Sequence, residues 1–354
     1  MVAAAVVAVL VAAGCGSGAP DRTEVLADLA DETIVPTYVE LAERADELAV
    51  AVDGVCGAPS EASVEIAVDA LVGARDVWSR SEAVWVGPAM ERRSWARIDW
   101  PIAPDEIEEL IVDPSAELTL DYLGTRIGAD QRGLGAIEYL VAGEPSEAAD
   151  ALADPDRCAY LTGITEVVAE EATLLAGDWT TGEVDGEPTR EAFVADEGGV
   201  DSLVNDSLFL LEAMSDLELG RGLGLVSSGE PDPEAIVEGA GGYGADDLAA
   251  HLIGLRAVLV GAAAGADDAD NSAGGLAPLL TDELVSRLTT ELDAADAAVA
   301  AVDGPLRQAA TERPGQVTAA RDAIKAVQIT VATEVVAQLG VTIGFSDADG
   351  DTGA

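Results

Sequence analysis

The stretch QRGLGAIEYLVAG, Gln131 to Gly143, places a carboxylate where a helix should be apolar. Leu134, Ile137 and Val141 recur at helical spacing, and Glu138 falls in the same stripe. A charge in such a stripe must be paired, metal-bound or protonated, because leaving it uncompensated in a core costs on the order of 3–5 kcal/mol. Glu138 is therefore either a structural ion-pair partner or part of a site, and both readings require helices packed around it.

A second segment carries the matching anomaly. From Ser60 to Trp85 the apolar seam runs Val64, Val68, Leu71, then Arg75, Trp78, Glu82, Trp85, so a guanidinium and a carboxylate two turns apart interrupt a hydrophobic face. If the Glu138 helix packs on this seam, Arg75, Glu82 and Glu138 converge inside a bundle, the place where helical proteins build polar and metal sites. A buried salt-bridge network that only fixes helix register satisfies the same pattern.

At these residues the chain resembles the imelysin family, the insulin-cleaving and iron-regulated proteins of the periplasm and outer membrane. The matching segments are Ala70–Pro88 (ALVGARDVWSRSEAVWVGP), Ile98–Ile102 (IDWPI), RGLGAIEYLVAG, Met214–Gly224 (MSDLELGRGLG) and Leu339–Asp351 (LGVTIGFSDADGD). The family's hallmark Gly-x-His-x-x-Glu maps onto Gly133 to Glu138, and the histidine position is Gly135. The resemblance implies an all-α fold of two tandem four-helix bundles and a link with iron acquisition. It also implies a site in this region, with Glu82 and Glu138 as candidate metal ligands and Arg75, Arg132, Gly133 and Gly135 lining it. Oxygen ligands suit a hard cation such as ferric iron or calcium better than zinc.

Periodicity along the chain is helical throughout. Ile34, Tyr38, Leu41, Ala45, Leu48 and Val52 form one stripe, with Pro36 kinking the helix or separating a lead-in. Further helices are expected at Ser60–Trp85, Asp105–Val112, around Glu138, and at Cys158–Ala176, Leu203–Met214, Ala245–Gly261 and Thr281–Val302. A further long helix ends the chain's second half, with its core stripe at Val317, Ala320, Ile324, Val327 and Val331. Gly177 to Gly199 reads as an acidic loop between bundles, placed at 29–190 and 200–345, with an acidic tail at 346–354.

The first residues read as an export leader. Met1–Gly14 is almost wholly apolar and ends in small residues before Cys15, as at a lipoprotein processing site, with residues 16–28 as tether. Cys15 would carry the lipid, anchoring the protein at the cell surface or periplasmic face of a bacterial membrane. Cys56 and Cys158 remain, an even pair in an exported chain, and are expected to form a disulfide.

Composition excludes some functions. The chain has 67 acidic against 18 basic residues, a net charge of −49, so binding to nucleic acid or anionic lipid by charge is unfavourable. There is one histidine, His251, read as a helix residue rather than a ligand, and no histidine pair to hold a catalytic zinc. A serine or cysteine mechanism lacks its histidine partner too. Trp78, Trp85, Trp95 and Trp100 read as packing residues. Asp347, Asp349 and Asp351 resemble a calcium loop without its Gly spacing or its closing Glu.

The leading reading is a non-catalytic, surface-anchored binding protein for iron or another metal cation, with a degenerate site and a possible transport-system partner protein. The alternative is a module that binds a polymer or partner protein in the cleft between its halves. A metallopeptidase stands third.

Overall fold

Three long helices build the first half. The computed structural model describes residues 21–113, 117–226, 229–261 and 275–344. In it α1 (Arg22–Leu29) leads through a π-helical turn, Ala30–Ile34, into α2 (Val35–Gly57). Pro36 stands in the first turn of α2, directly after the π-helical turn that divides α2 from the lead-in α1. It has no N–H to bond back one turn, and the widened turn just before it absorbs the missing bond. After the Ser60 capping box, α3 (Glu61–Ser81) packs antiparallel in sequence order on α2, burying Val64, Leu71, Val77 and Trp78.

The fourth side of this bundle is made of short pieces. α4 (Leu134–Val141) and the Pro145–Ala151 helix both lie on α3, and α5 (Pro155–Thr181) runs along α2. α5 continues through the stretch read as the start of an acidic loop, because Trp179 is 2% exposed, stacked on Tyr38 and edge-on to Phe193. Burial of that ring outweighs the helix-weakening glycine at 177. The segment beyond is a two-strand hairpin, Glu183–Val184 with Glu187–Pro188, followed by a helix at Thr189–Ala195.

The second half is a ring of four helices: α6 (Gly199–Glu212), α7 (Gly244–Leu259), α8 (Asp282–Ala300) and α10 (Pro314–Thr330). A short α9 (Leu306–Glu312) precedes the last of these. α6 contacts α7, α7 contacts α8, α8 contacts α10 and α10 contacts α6. Val317, Ala320, Ile324, Val327 and Val331 are each fully buried, as their spacing predicts. The fold is all-α apart from the small hairpin.

What positions the site is the packing of α7 on α3, which brings the two halves together. Gly254 makes that approach possible. A Cβ there would stand 2.2 Å from the carbonyl oxygen of Arg80, so any side chain would force the helices apart. Among the described residues no helix is long and apolar enough to cross a membrane. The leader, Cys15, residues 16–20 of the expected tether and the aspartates near the C-terminus lie outside the described residues, while residues 22–28, also expected as tether, are helical in α1 because Val25 and Leu26 are buried against the core.

Cys56 and Cys158 are bonded, Cα to Cα 5.6 Å, across a separation of 102 residues. The bond ties the end of α2 to the first turn of α5. Chain-entropy reasoning for a loop of that length gives about 4–5 kcal/mol at most, less where the unfolded state keeps structure. Cys56→Ser is expected to lower the melting temperature clearly and Cys158→Ser by the same amount, while the double variant adds nothing further. Non-reducing peptide mapping checks the bond, and two free thiols would contradict it.

Candidate functional site

Arg75 is the centre of the buried polar cluster. It sits in the middle of α3, 6% exposed, where an unpaired charge would not survive. Its Nη2 donates to Asp247 Oδ2 at 2.5 Å, and its Nη1 lies 3.3 Å from Glu138 Oε2 and 3.8 Å from Asp99 Oδ2. These three carboxylates come from three places: the connection after α3, helix α4 and the first turn of α7. Burial works against the guanidinium charge, but Asp99, Asp247 and Glu138 outweigh it and hold it protonated above the ordinary value.

Glu138 is 1% exposed. Besides Arg75, its partner among the described residues is the Gly241 N–H, which donates to Oε1 at 2.6 Å from a loop of the second half. Gly239 in the same loop lies against the carboxylate so closely that a Cβ would sit 2.1 Å from Oε2. The loop is itself held in place by Glu238, which accepts the N–H groups of Leu306 and Arg307 at 2.7 and 3.0 Å and so caps α9. Burial raises the Glu138 pKa, against the pull of Arg75 and the Gly241 N–H.

The polar stripe continues along α3. Ser79 donates to Asp247 Oδ1 at 3.3 Å, and one turn on Glu82 faces His251 Nε2 at 3.5 Å. Asp247 and His251 are four apart on α7, Arg75 and Ser79 are four apart on α3, and Glu82 follows three residues later in the turn that closes α3, so the two helices meet through a ladder of polar pairs. His251 is raised above its usual pKa. Burial opposes protonation, and Glu82, Asp247 and Glu218 overcome it. Burial drives Glu218 up to about 8, with His251 pulling it back. Asp99 is likewise pushed by burial to about 6, in spite of Arg75.

The expected convergence is therefore real for Arg75 and Glu138 and different for Glu82. The cluster lies between the halves rather than within the first bundle, and Glu82 is paired with His251 instead of sharing a partner with Glu138. Arg132 does not line the cluster: its guanidinium donates to the backbone carbonyls of Ala96, Leu123 and Gly124 at 3.2, 3.1 and 2.7 Å, latching the irregular connection before α4. Gly133 has φ 91° and admits no Cβ, which would meet the Ile98 carbonyl at 2.6 Å. Gly135 points its empty position at Asp99, with a Cβ 3.6 Å from Oδ1.

Sequence reasoning missed Asp99, Asp247, Glu218 and the role of His251. Asp99 lay inside the quoted IDWPI segment, and the spacing of Asp247 and His251 was visible, but neither names its partner. Trp78, Trp85 and Trp95 pack together with centroids 5.3 and 5.5 Å apart, while Trp100 is 45% exposed and stands outside that stack.

The oxygens of Glu82 and Glu138 are engaged by other groups of the chain. One oxygen of Glu138 takes a backbone N–H, the other faces a guanidinium, and Glu82 is committed to His251. Among the described residues no three His, Cys, Asp or Glu side chains are placed to hold an ion. Glu171 shows how a buried carboxylate is fully satisfied in this chain: Arg92 Nε at 2.8 Å and Nη2 at 3.1 Å, Ser94 Oγ at 2.8 Å and Arg97 Nε at 3.2 Å. Glu138 Oε2, by contrast, has an ion pair and no hydrogen bond.

The chain folds as an all-α protein of two packed halves, with Arg75 and its carboxylates where they meet. The chain belongs to the imelysin family, whose model (Peptidase M75, imelysin) matches residues 34–332. It is similar in fold to a putative iron-regulated protein A precursor from Parabacteroides distasonis ATCC 8503, at 18% identity over 92% of this chain and 97% of that one, with a TM-score of 0.77. An imelysin-like protein from Psychrobacter arcticum 273-4 is similar at 19% identity over the same shares, with a TM-score of 0.71. No curated protein sequence matches the chain.

The buried acids set a pH dependence. Burial raises Asp206 to about 8 from 3.8, and its Oδ2 is buried without a hydrogen-bond partner. Asp206 and Glu218 keep in the folded chain a proton that the unfolded chain releases near pH 4. The stability they contribute is complete below that value and is lost as pH rises through about 8. Melting temperature is expected to fall between pH 5 and pH 9. Asp206→Asn should raise it by several degrees at pH 9 and change it little at pH 5; equal destabilisation at both values would contradict the assignment.

Proposed function

We propose that this chain is a non-catalytic binding protein of the imelysin family, exported and lipid-anchored through Cys15, that serves uptake of iron or another cation with a weakened metal position. The observation that carries this reading is the state of the Gly-x-His-x-x-Glu motif. Its histidine position is Gly135, and its carboxylate is held by Arg75 and capped by the Gly241 N–H.

A hydrolytic zinc needs three protein ligands and an open position for a polarised water. Glu138 is enclosed by the loop at Gly239, and the one histidine of the chain lies on α7 facing Glu82. The motif residues thus support binding or assembly over bond cleavage. The connection with iron draws its support from family membership and from the printed name of the Parabacteroides relative.

Two measurements test the proposal. Calorimetric titration with zinc, and with ferrous iron under anaerobic conditions, is expected to show only weak binding by the unmodified protein. Gly135→His should raise affinity at least tenfold, because the imidazole would stand beside Asp99, with Ile102 Cγ2 yielding from 3.1 Å. Tight zinc binding lost in Glu138→Ala, or peptide hydrolysis, would overturn the reading, and so would a Gly135→His variant that binds no better. Mass spectrometry of the native N-terminus checks the anchor, which an unmodified Cys15 would remove.

A further inference from the structure

Away from the junction, residues 340–344 cross α6 along a line of side chains spaced one helical turn apart. Gly340 ends the helical turn Val336–Leu339 with φ 69°, and the Val341 N–H returns to the Val336 carbonyl at 3.1 Å. The chain then passes Asp201, Asn205 and Phe209 of α6. Asp201 Oδ2 accepts the Thr342 N–H at 3.1 Å. The Asn205 amide donates to the Thr342 carbonyl at 3.1 Å and accepts the Gly344 N–H at 2.8 Å. A Cβ on Gly344 would stand 3.9 Å from the Phe209 ring.

The N–H and C=O of one residue, with the N–H two residues on, are the groups that an extended backbone turns to a single edge. α6 reads that edge as a neighbouring strand would, with side chains in place of a ladder. Asn205 Nδ2 also donates to the Asp201 carbonyl at 2.8 Å, which holds the amide in its reading orientation. Val341 is buried, while Thr342, Ile343 and Gly344 are exposed. Recognition therefore rests on main-chain groups and one small apolar side chain.

A segment held in this way lifts more readily than the core unfolds. Hydrogen bonds in contact with water add little net stability, and ordering the segment costs backbone entropy. Gly340 supplies the hinge, because a glycine in the left-handed region leaves a helix without a Cβ penalty. Both the root of the segment and the groups that hold it are tied to the first half: Arg22 on α1 donates to the Leu339 carbonyl and lies 3.9 Å from Asp201. What fits the vacated line is another extended backbone with a small apolar side chain. A net charge of −49 turns away acidic candidates, so a neutral or basic segment is favoured.

We propose that the Asp201–Asn205–Phe209 face of α6 is a docking site for an extended peptide segment of a partner protein, neutral or basic in charge. Residues 341–344 fill it in cis as a strap that lifts at Gly340, and the partner's segment takes the same three main-chain hydrogen bonds. The site is separate from the motif at Gly135 and does not depend on metal binding there.

The probe is the peptide GVTIG of residues 340–344, dye-labelled at its N-terminus and amidated, with binding followed by fluorescence anisotropy on the full chain. Thr342→Pro together with Gly344→Pro removes both N–H donors of the strap and leaves α6 intact. This double variant is expected to bind the peptide at least tenfold more tightly than the unmodified chain, whose own strap competes. Adding Asn205→Leu should weaken that binding at least tenfold, and a peptide N-methylated at its last glycine should bind at least fivefold more weakly. No gain in the double variant overturns the proposal, as do retained binding with Asn205→Leu or equal binding of the N-methyl peptide. Hydrogen exchange on the unmodified chain tests the strap without any substitution. The Thr342 and Gly344 amides should exchange at least threefold more slowly than in the free peptide and at least a hundredfold faster than the Val327 amide of α10. Exchange as slow as Val327, or as fast as the free peptide, contradicts a strap that closes and lifts.

Discussion

The structure depends on one buried guanidinium that three carboxylates share. Arg75 is carried by the first half, and of its partners Asp99 and Glu138 belong to that half while Asp247 belongs to the second. Truncating one member of such a cluster strands the others in a medium that solvates them poorly, at a cost on the order of 3–5 kcal/mol. The junction between the bundles is therefore polar where each bundle core is apolar, and the register of α7 on α3 is set by side chains that accept only particular partners. Gly254 fixes the approach distance and the ladder from Arg75 to Glu82 fixes the alignment.

That arrangement explains why the motif glutamate persists without its histidine. Glu138 neutralises Arg75 and orders the glycine-rich loop through Gly241, and that loop in turn is held by Glu238 capping α9. A residue with such contacts is retained for folding whether or not it also serves a ligand. The excess of acids over bases has a counterpart inside the protein, where Asp206 and Glu218 have no arginine beside them and stay protonated near neutral pH. A chain of net charge −49 gains from every carboxylate it neutralises.

Much of this was legible in the sequence, and the limits follow from physics. The helices announced themselves by stripes of period 3.6, and Glu138 and Arg75 announced themselves as charges breaking those stripes. The cysteine pair followed from parity. What the stripes do not contain is the identity of a partner far along the chain. Asp247 lies 172 residues from Arg75, and His251 lies 169 residues from Glu82, so Glu82 was assigned to the nearer carboxylate motif instead. Arg132 looked like a site residue because it adjoins the motif, but backbone carbonyls of an irregular segment, which no pattern of side chains reveals, take its hydrogen bonds. Trp179 carried α5 past a glycine for a similar reason: its stacking partner Tyr38 is remote in sequence.

All five tryptophans, Trp78, Trp85, Trp95, Trp100 and Trp179, lie in the first half, so indole fluorescence reports that half while far-UV circular dichroism reports both. Urea unfolding followed by the two signals together tests whether Arg75 couples the bundles. In the unmodified chain the transitions should coincide. In Arg75→Met they should separate, with both midpoints lowered, because the halves then unfold independently. Coincident transitions at unchanged midpoints in Arg75→Met would contradict the account.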